Sequence, residues 1–266
     1  MKIAVTGAFS YSGKYIAKRL LARGEEVITL TGHPNRPDPF NGKVKAYPLD
    51  FDEAGMTRSL QDVDALVNTY WVRFDKGENT QPRAVKDTRK LVNAAKAAGV
   101  KRIVHISIAN PSADSHLPYY WCKAANEKAV IDSGLSYAIL RPTVLVGGGE
   151  DILINNIAFL LRRFPFFFIP GDGSYSIQPV YIEDLADLAV EGVYSKENYI
   201  VDAVGPDSYT FKEMVQLIGE RVGMKRLLIP IPPRLALLAG RAKLWVITVQ
   251  NAQRGLSRLA SGQPKN

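Results

Sequence analysis

The fold of this chain is decided by residues 2–13, which read Lys2-Ile3-Ala4-Val5-Thr6-Gly7-Ala8-Phe9-Ser10-Tyr11-Ser12-Gly13. The apolar residues at positions 3–5 predict a short buried strand, because strands covered on both faces read as continuous apolar runs. The residues that follow predict a helix from about Gly13 to Arg23. Two glycines between a strand and a helix predict a tight turn whose backbone a ligand can approach closely.

The same alternation of strand and helix continues through the first half of the chain. It predicts a parallel sheet with helices on both faces, the α/β doubly wound architecture of Rossmann type. We predict strands at residues 2–6, 26–30, 44–48, 65–69, 102–108 and 136–140, and further helices at about 82–98 and 119–133.

The pattern changes after the glycine run at 147–149. Helices are predicted at 152–164, 182–193 and 210–222, with strands near 166–169 and 199–202. The strand at 166–169 lies in the run 164–170, Phe-Pro-Phe-Phe-Phe-Ile-Pro, for which a membrane-dipping loop is the alternative. We therefore divide the chain into a Rossmann domain at 1–149, a smaller C-terminal lobe at 150–232 and a tail at 233–266. The smaller lobe could share strands with the first domain.

Composition favours a folded globular protein, with 46% hydrophobic and 23% charged residues among 266. No apolar run approaches the ~20 residues that span a bilayer, and no secretory signal is predicted, so a cytoplasmic location is expected. One cysteine, Cys122, and three scattered histidines predict neither a disulfide framework nor a metal site.

The positive charge is concentrated at the C-terminal end. The formal net charge is +8, and nine basic residues but no acidic residue follow Glu220. Residues 233–266 predict a basic amphipathic tail, which could pack on the smaller lobe, form a contact across a homo-oligomer, or make peripheral contact with an anionic membrane. Nucleic acid is not predicted as a partner, because few aromatic residues are interleaved with the basic ones.

The turn between Gly7 and Gly13 has the features of a dinucleotide-binding turn. A pyrophosphate needs backbone N–H groups at a helix N-terminus, and glycines allow close approach. The second predicted strand is followed by Thr31-Gly32-His33 rather than by the acidic residue that binds the 2′-hydroxyl of NAD. Because Arg36 lies just beyond His33 and could bind a 2′-phosphate, NADP(H) is favoured over NAD(H).

At this point the chain resembles the short-chain dehydrogenase/reductase superfamily, although Ser10 stands where the middle glycine is usual. It is most similar to the extended or atypical branch, which includes epimerase/dehydratase-like proteins, NmrA-like proteins and the nucleotide-binding accessory subunit of respiratory complex I. Together with the turn itself, the resemblance implies cofactor contacts from Gly7, Ser10, Tyr11, Ser12, Gly13, His33, Arg36, Asp50, Phe51, Thr69, Tyr70, Lys123, Pro142, Thr143 and Val144.

The sequence Tyr119-Tyr120-Trp121-Cys122-Lys123 matches the Tyr-x-x-x-Lys motif of this superfamily. Residues at i and i+4 share one face of a helix, and a nearby positive charge is expected to lower the pKa of Tyr119 and to make it a general acid/base. Tyr120 is the alternative. The resemblance implies a third catalytic group after the fifth strand, for which Ser107 is the first candidate and Asn110, Ser112 and Ser115 are the others.

Two functions follow from these residues. The first is an NADP-dependent oxidoreductase or epimerase-like enzyme that acts on a small hydroxyl or carbonyl substrate bound between the lobes, with Tyr119 as acid/base and Lys123 as its activator. The second is a non-catalytic NADP(H)-binding redox sensor or assembly protein that could associate with a membrane. The incomplete serine site and the basic tail favour this second function.

Overall fold

A computed structural model describes residues 1–33, 35–232 and 234–235 of the chain. Its helices are α1 (Tyr11–Ala22), α2 (Glu53–Ser59), α3 (Gln81–Ala97), α4 (Pro118–Asp132), α5 (Ile152–Arg163), α6 (Ile182–Tyr194) and α7 (Phe211–Arg221). Its strands are β1 (Lys2–Thr6), β2 (Glu26–Thr31), β3 (Lys45–Pro48), β4 (Ala65–Asn68), β5 (Arg102–Ile106), β6 (Ser136–Pro142), β7 (Leu145–Val146), β8 (Phe166–Pro170), β9 (Ser176–Ile177), β10 (Val180–Tyr181), β11 (Tyr199–Ala203), β12 (Tyr209–Thr210) and β13 (Leu227–Ile231).

The first compact unit comprises residues 1–147 and 180–205 and contains a seven-stranded sheet. All of its strands are parallel, in the order β3-β2-β1-β4-β5-β6-β11. The chain winds outward in one direction from β1 through β3 and in the other from β4 through β6. The strand order therefore reverses between β1 and β4, the position where ligands bind beyond the carboxyl ends of the strands in such sheets.

Helices cover both faces of this sheet. On one face, apolar side chains of β1, β4 and β5 pack with those of α1 and α6, including Ile16 and Leu185. On the other face, the alternate side chains of these strands pack with α2, α3 and α4, including Leu91 and Val130. The prediction of a Rossmann-type doubly wound parallel sheet is confirmed.

The second compact unit comprises residues 148–179 and the described residues from 206 onward. Helices α5 and α7 pack on the strand pair β8–β13 around a core that includes Leu161, Phe167 and Val215. The side chain of Thr210 accepts a hydrogen bond from the N–H of Glu213, whose carboxylate accepts one from the N–H of Thr210. This reciprocal capping box fixes the start of α7.

Several predicted boundaries and one predicted span need correction. Helix α1 begins at Tyr11 instead of Gly13, and β5 ends at Ile106 instead of residue 108. Residues 180–205 belong to the first unit rather than to a continuous lobe at 150–232, because β11 pairs with β6 and α6 packs with α1. The prediction did not include α2, which contains only seven residues, or the short strands β7, β9, β10, β12 and β13. Apart from Arg234 and Leu235, the predicted tail at 233–266 lies outside the described residues.

A buried arginine joins the strands at one side of the sheet. The guanidinium of Arg102 on β5 donates hydrogen bonds to the carbonyl oxygens of Gly192, Tyr137 and Glu197 and to the hydroxyl of Ser136. These groups belong to or adjoin β6, α6 and β11. The planar guanidinium of Arg102 donates to four acceptors at once. A lysine ammonium has only three donors and cannot satisfy all four.

We therefore expect Arg102→Lys to lower the free energy of unfolding by about 2–4 kcal/mol, because buried acceptors lose their donors. Urea denaturation followed by circular dichroism measures the change. Lys101→Gln is the matched control, since the Lys101 side chain is exposed and its loss should cost less than about 0.5 kcal/mol. Equal stability of the Arg102 variant and the native protein would contradict this role.

Candidate dinucleotide-binding and active site

The turn after β1 depends on its two glycines for different reasons. Gly7 has a φ of 64°, a backbone conformation that side chains disfavour. A Cβ atom on Gly13 would overlap the carbonyl oxygen and carbon of Gly7. Glycine at position 13 therefore lets the first turn of α1 pack directly against the backbone that leaves β1.

The N-terminus of α1 suits an anion. Its first turn contains no acidic residue, and the side chain of its N-cap residue, Ser10, makes no capping hydrogen bond. The partial positive charge at a helix N-terminus and its N–H groups favour a phosphate there. The turn therefore fits the pyrophosphate of a dinucleotide.

The structure brings Arg36 to this turn. Its Nη1 donates a hydrogen bond of 2.5 Å to Oγ of Ser10. Arg36 is exposed beyond the end of β2, and Ser10 is half-buried in the turn after β1. His33 is exposed nearby, and its N–H donates to Oγ1 of Thr31. Ser10, which stands where the middle glycine is usual, therefore contacts Arg36, the residue predicted to bind a 2′-phosphate.

A chain of hydrogen bonds links the carboxyl ends of β1, β4 and β5 where the strand order reverses. The N–H of Thr69 donates to Oγ1 of Thr6, which donates to Oδ1 of Asn68. Oδ1 of Asn68 also accepts from the N–H of Tyr70, so its amide nitrogen donates to Nδ1 of His105 at 3.1 Å. The proton of the neutral imidazole is therefore on Nε2.

Strain and aromatic contact mark the residues that follow β3. Phe51 has a φ of 61°, which is uncommon for a residue with a large side chain. Its ring lies 4.8 Å from the ring of Tyr70, centroid to centroid. Asp50 accepts a hydrogen bond from the N–H of Asp52, the N-cap residue of α2. Since strained residues concentrate at functional sites, Phe51 and Tyr70 fit a ligand-facing position.

The segment Pro142–Val144 leaves the carboxyl end of β6. The N–H of Thr143 donates to the carbonyl of Ala203 on β11, and the carbonyl of Val144 accepts from Val180. Tyr11, at the start of α1, donates through its hydroxyl to the carbonyl of Gly147 at 2.8 Å. This segment therefore lies at the same edge of the sheet as the glycine turn.

Helix α4 presents Tyr119 and Lys123 to a common neighbour, Trp71. The ring of Tyr119 meets the indole edge to face with centroids 5.7 Å apart. The ammonium of Lys123 lies 4.5 Å from the centroid of the same indole, a cation–π contact. Lys123 also donates to the carbonyl of Ile106 at 3.1 Å, which holds it against the end of β5.

The electrostatics differ from the expectation that Tyr119 has a lowered pKa. Burial raises the pKa of the Tyr119 hydroxyl, and the charge of Arg73 opposes this only partly. The lysine carries the larger shift, because Lys123 is only 3% exposed and burial lowers its pKa to about 7. Near neutral pH Tyr119 is therefore protonated, and Lys123 is close to its titration midpoint.

Ser107, the first candidate for the third catalytic group, is less exposed than Tyr119. Ser107 is buried, and its Oγ has no hydrogen-bond partner among the described residues. Asn110 is exposed and has a φ of 54°. Ser112 is exposed, and Oγ of Ser115 accepts from the N–H of Leu117. Asn110 and Ser112 thus present accessible polar groups, while Ser107 fits a position beneath the surface.

Sequence reasoning missed Trp71, His105 and Asn126 as members of this region. In the described part of the chain, Nε1 of Trp71, Nε2 of His105 and both amide atoms of Asn126 are buried without a hydrogen-bond partner. Burial and the charge of Lys123 lower the pKa of His105 to about 3, so its ring stays neutral. His105 in β5 and Asn126 in α4 are polar residues within buried elements. They were the signal available in the sequence, because burying a polar group without a partner is costly.

We expect Lys123→Met to raise the free energy of unfolding at about pH 6 by roughly 2–4 kcal/mol. This range already subtracts the loss of the Lys123 contacts with Ile106 and Trp71. Because the pKa falls from 10.5 to about 7 on folding, the unfolded chain holds the proton more tightly, and the native state is penalised below pH 7. The penalty declines as the pH rises from 7 towards 10.5.

Urea unfolding at about pH 6 and about pH 10 tests this pH dependence. Lys128→Met is the matched control, because Lys128 is exposed on the same helix and pairs with Asp132. Its effect should be small at both values. A Lys123→Met variant that loses the same stability at both pH values would show that the native state does not disfavour the charged lysine.

Comparison with known proteins identifies the family of this chain. Residues 7–154 match the family model described as NAD(P)H-binding. The chain is 26% identical over 254 residues to the mitochondrial NADH dehydrogenase [ubiquinone] 1 alpha subcomplex subunit 9 of Arabidopsis thaliana, covering 89% of this chain but 62% of that protein. It is 29% identical over 231 residues to quinone oxidoreductase 2 of Escherichia coli, covering 83% and 74% of the two chains.

The fold is also found in solved structures. UDP-N-acetylglucosamine 4-epimerase from Bacillus cereus superposes with a TM-score of 0.72 and 22% identity, over 87% of this chain and 85% of that chain. The NAD(P)H-binding model covers the glycine turn and extends past the Tyr-x-x-x-Lys motif. The chain belongs to the NAD(P)H-binding family, and it shares the fold of that epimerase.

Proposed function

We propose that this protein is an NADP-dependent oxidoreductase or epimerase-like enzyme that acts on a small hydroxyl or carbonyl substrate. The observation that carries the proposal is that Tyr119 and Lys123 both contact Trp71, beside the carboxyl ends of β4 and β5. A bound nicotinamide would supply hydride exchange. The sequence similarity to a quinone oxidoreductase supports the same class of reaction.

The proposed role of Tyr119 follows from its protonation state. A phenol that keeps its proton at neutral pH can donate it to a carbonyl oxygen while that oxygen gains negative charge. The phenolate that remains would be stabilised by the charge of Arg73, which acts to lower the pKa of Tyr119, and by Lys123 in its charged form, which the carbonyl of Ile106 holds in place. These residues therefore favour reduction of a carbonyl near neutral pH.

The proposed preference for NADP(H) rests on Arg36 and Ser10. A guanidinium binds a phosphate through two parallel hydrogen bonds, and a neighbouring hydroxyl supplies a third donor. These two side chains already contact each other at the end of β2. The strand end Thr31-Gly32-His33 offers no carboxylate that would repel the phosphate.

We expect Arg36→Ser to weaken NADPH binding by about 10- to 100-fold and to change NADH binding by less than about 2-fold. Titration calorimetry with both cofactors measures the ratio of the two affinities. Lys43→Ser is the matched control, because Lys43 is an exposed basic residue in the loop before β3. A native protein that prefers NADH would contradict the assignment of Arg36.

We expect Tyr119→Phe to reduce cofactor turnover by about 100-fold or more, with NADPH affinity unchanged within about 2-fold, because the variant loses only the transferable proton. The assay follows NADPH absorbance with a panel of ketones, quinones and sugar nucleotides. Tyr120→Phe is the control, and it should retain activity. Loss of turnover in Tyr120→Phe alone would move the role to that residue.

A second candidate function is non-catalytic NADP(H) binding in a redox sensor or an assembly protein. The burial of Ser107 favours it, because the third group implied by the family is not presented at the surface. The similarity to a subunit of a larger dehydrogenase supports it as well. Tight NADPH binding together with no turnover on the whole panel would select this second function.

A further inference from the structure

The strand pair β8–β13 in the second unit has one buried face and one exposed apolar face. Phe167 and Ile169 point into the core, where Leu228 packs with them. The alternate residues Phe166 and Phe168 are 36% and 45% exposed. A half-buried strand normally places polar residues on its outer face. Two phenylalanines on the exposed face of β8 therefore depart from this pattern.

The neighbouring strand enlarges this exposed face. Leu227 of β13 pairs with Phe166 in the parallel register and is 68% exposed. Phe164, which directly follows α5, is 41% exposed, and its ring stacks on that of Phe166 with centroids 6.5 Å apart. We call Phe164, Phe166, Phe168 and Leu227 the phenylalanine face. Contiguous exposed apolar side chains of this kind mark an interaction surface.

Basic residues flank the phenylalanine face at one end. Arg162 and Arg163 end α5 just before it, and Lys225 and Arg226 directly precede β13. Since β8 and β13 are parallel, both basic pairs lie at the same end of the strand pair. Arg226 donates to the carbonyl of Leu161, and Lys225 lies 3.9 Å from the carboxylate of Glu220.

A carboxylate lies at the opposite end of the strand pair. Asp172 follows β8 in the turn, and its carboxylate accepts hydrogen bonds from the N–H and hydroxyl of Ser174. The phenylalanine face therefore has an apolar centre and a cationic end. Aromatic residues beside lysine or arginine are the composition that proteins place at the boundary of a negatively charged bilayer.

Charge also favours a negatively charged bilayer over two other occupants of this face, the C-terminal residues of the same chain and a second copy of the chain. Residues 236–266 contain five basic residues and no acidic residue, so their charge would be repelled by the arginines beside the face. A second copy bound through the same face, with the two-fold axis along the strands, would bring like cationic ends together. An anionic partner complements both the face and the C-terminal residues.

We propose that the phenylalanine face inserts into the surface of an anionic lipid bilayer, with Arg162, Arg163 and Lys225 bound to lipid phosphates. The phenyl rings and Leu227 would lie at the headgroup and acyl boundary, which requires no helix that crosses the bilayer. In the described part of the chain, no helix is long and apolar enough to cross one.

The test is cosedimentation of the full chain with vesicles of phosphatidylcholine, with and without phosphatidylglycerol. The native chain is expected to bind the anionic vesicles and to be released by high salt. Phe166→Ser combined with Phe168→Ser should lower the partition coefficient by at least about tenfold, because two exposed rings no longer leave water. Phe74→Ser, at an exposed phenylalanine of the first unit, should leave it unchanged.

A charge variant keeps the proposal testable if the serine variants unfold. Arg162→Gln combined with Arg163→Gln leaves the apolar residues in place and should weaken binding to anionic vesicles by about tenfold or more. Undiminished binding of folded variants would overturn the proposal, since it would assign lipid contact to other residues. Light scattering that shows a dimer dissociated by Phe166→Ser, without vesicle binding, would also overturn it.

Discussion

The close approach of Gly13 to the backbone of Gly7 is the contact on which the rest of the molecule depends. Any side chain at position 13 would overlap the Gly7 carbonyl, so glycine alone lets α1 start against the end of β1. That contact directs the N-terminus of α1 towards the point where the strand order reverses. The turn that fits a pyrophosphate and the contact of Arg36 with Ser10 both lie at this point.

The region beyond β4 and β5 is built differently, from buried polar groups. Asn68 orders the turn after β4 and orients His105, while α4 holds Lys123 against the carbonyl of Ile106. Burial of an ammonium costs stability. The buried ammonium of Lys123 is therefore a destabilising feature at the site of the proposed chemistry.

Much of the fold and part of the site could be predicted from local pattern. The apolar strands and helix periodicity gave the doubly wound sheet, and the motif Tyr119 to Lys123 lies on one helix as expected. The shift in pKa was assigned to the wrong partner. Tyr119 was expected to have the lowered pKa, whereas burial raises its pKa and lowers that of Lys123. Desolvation depends on three-dimensional packing, which spacing along a helix does not report.

By itself, the sequence determined the parallel sheet, the glycine turn and the order of the motifs, because periodicity and glycine placement act over a few neighbouring residues. Tertiary structure decided which distant groups meet. It brought Trp71 to both Tyr119 and Lys123, placed 180–205 in the first unit, and exposed Phe166 and Phe168 while burying Phe167. Contacts between residues far apart in the chain depend on how strands pair and helices pack, and no local pattern contains that information.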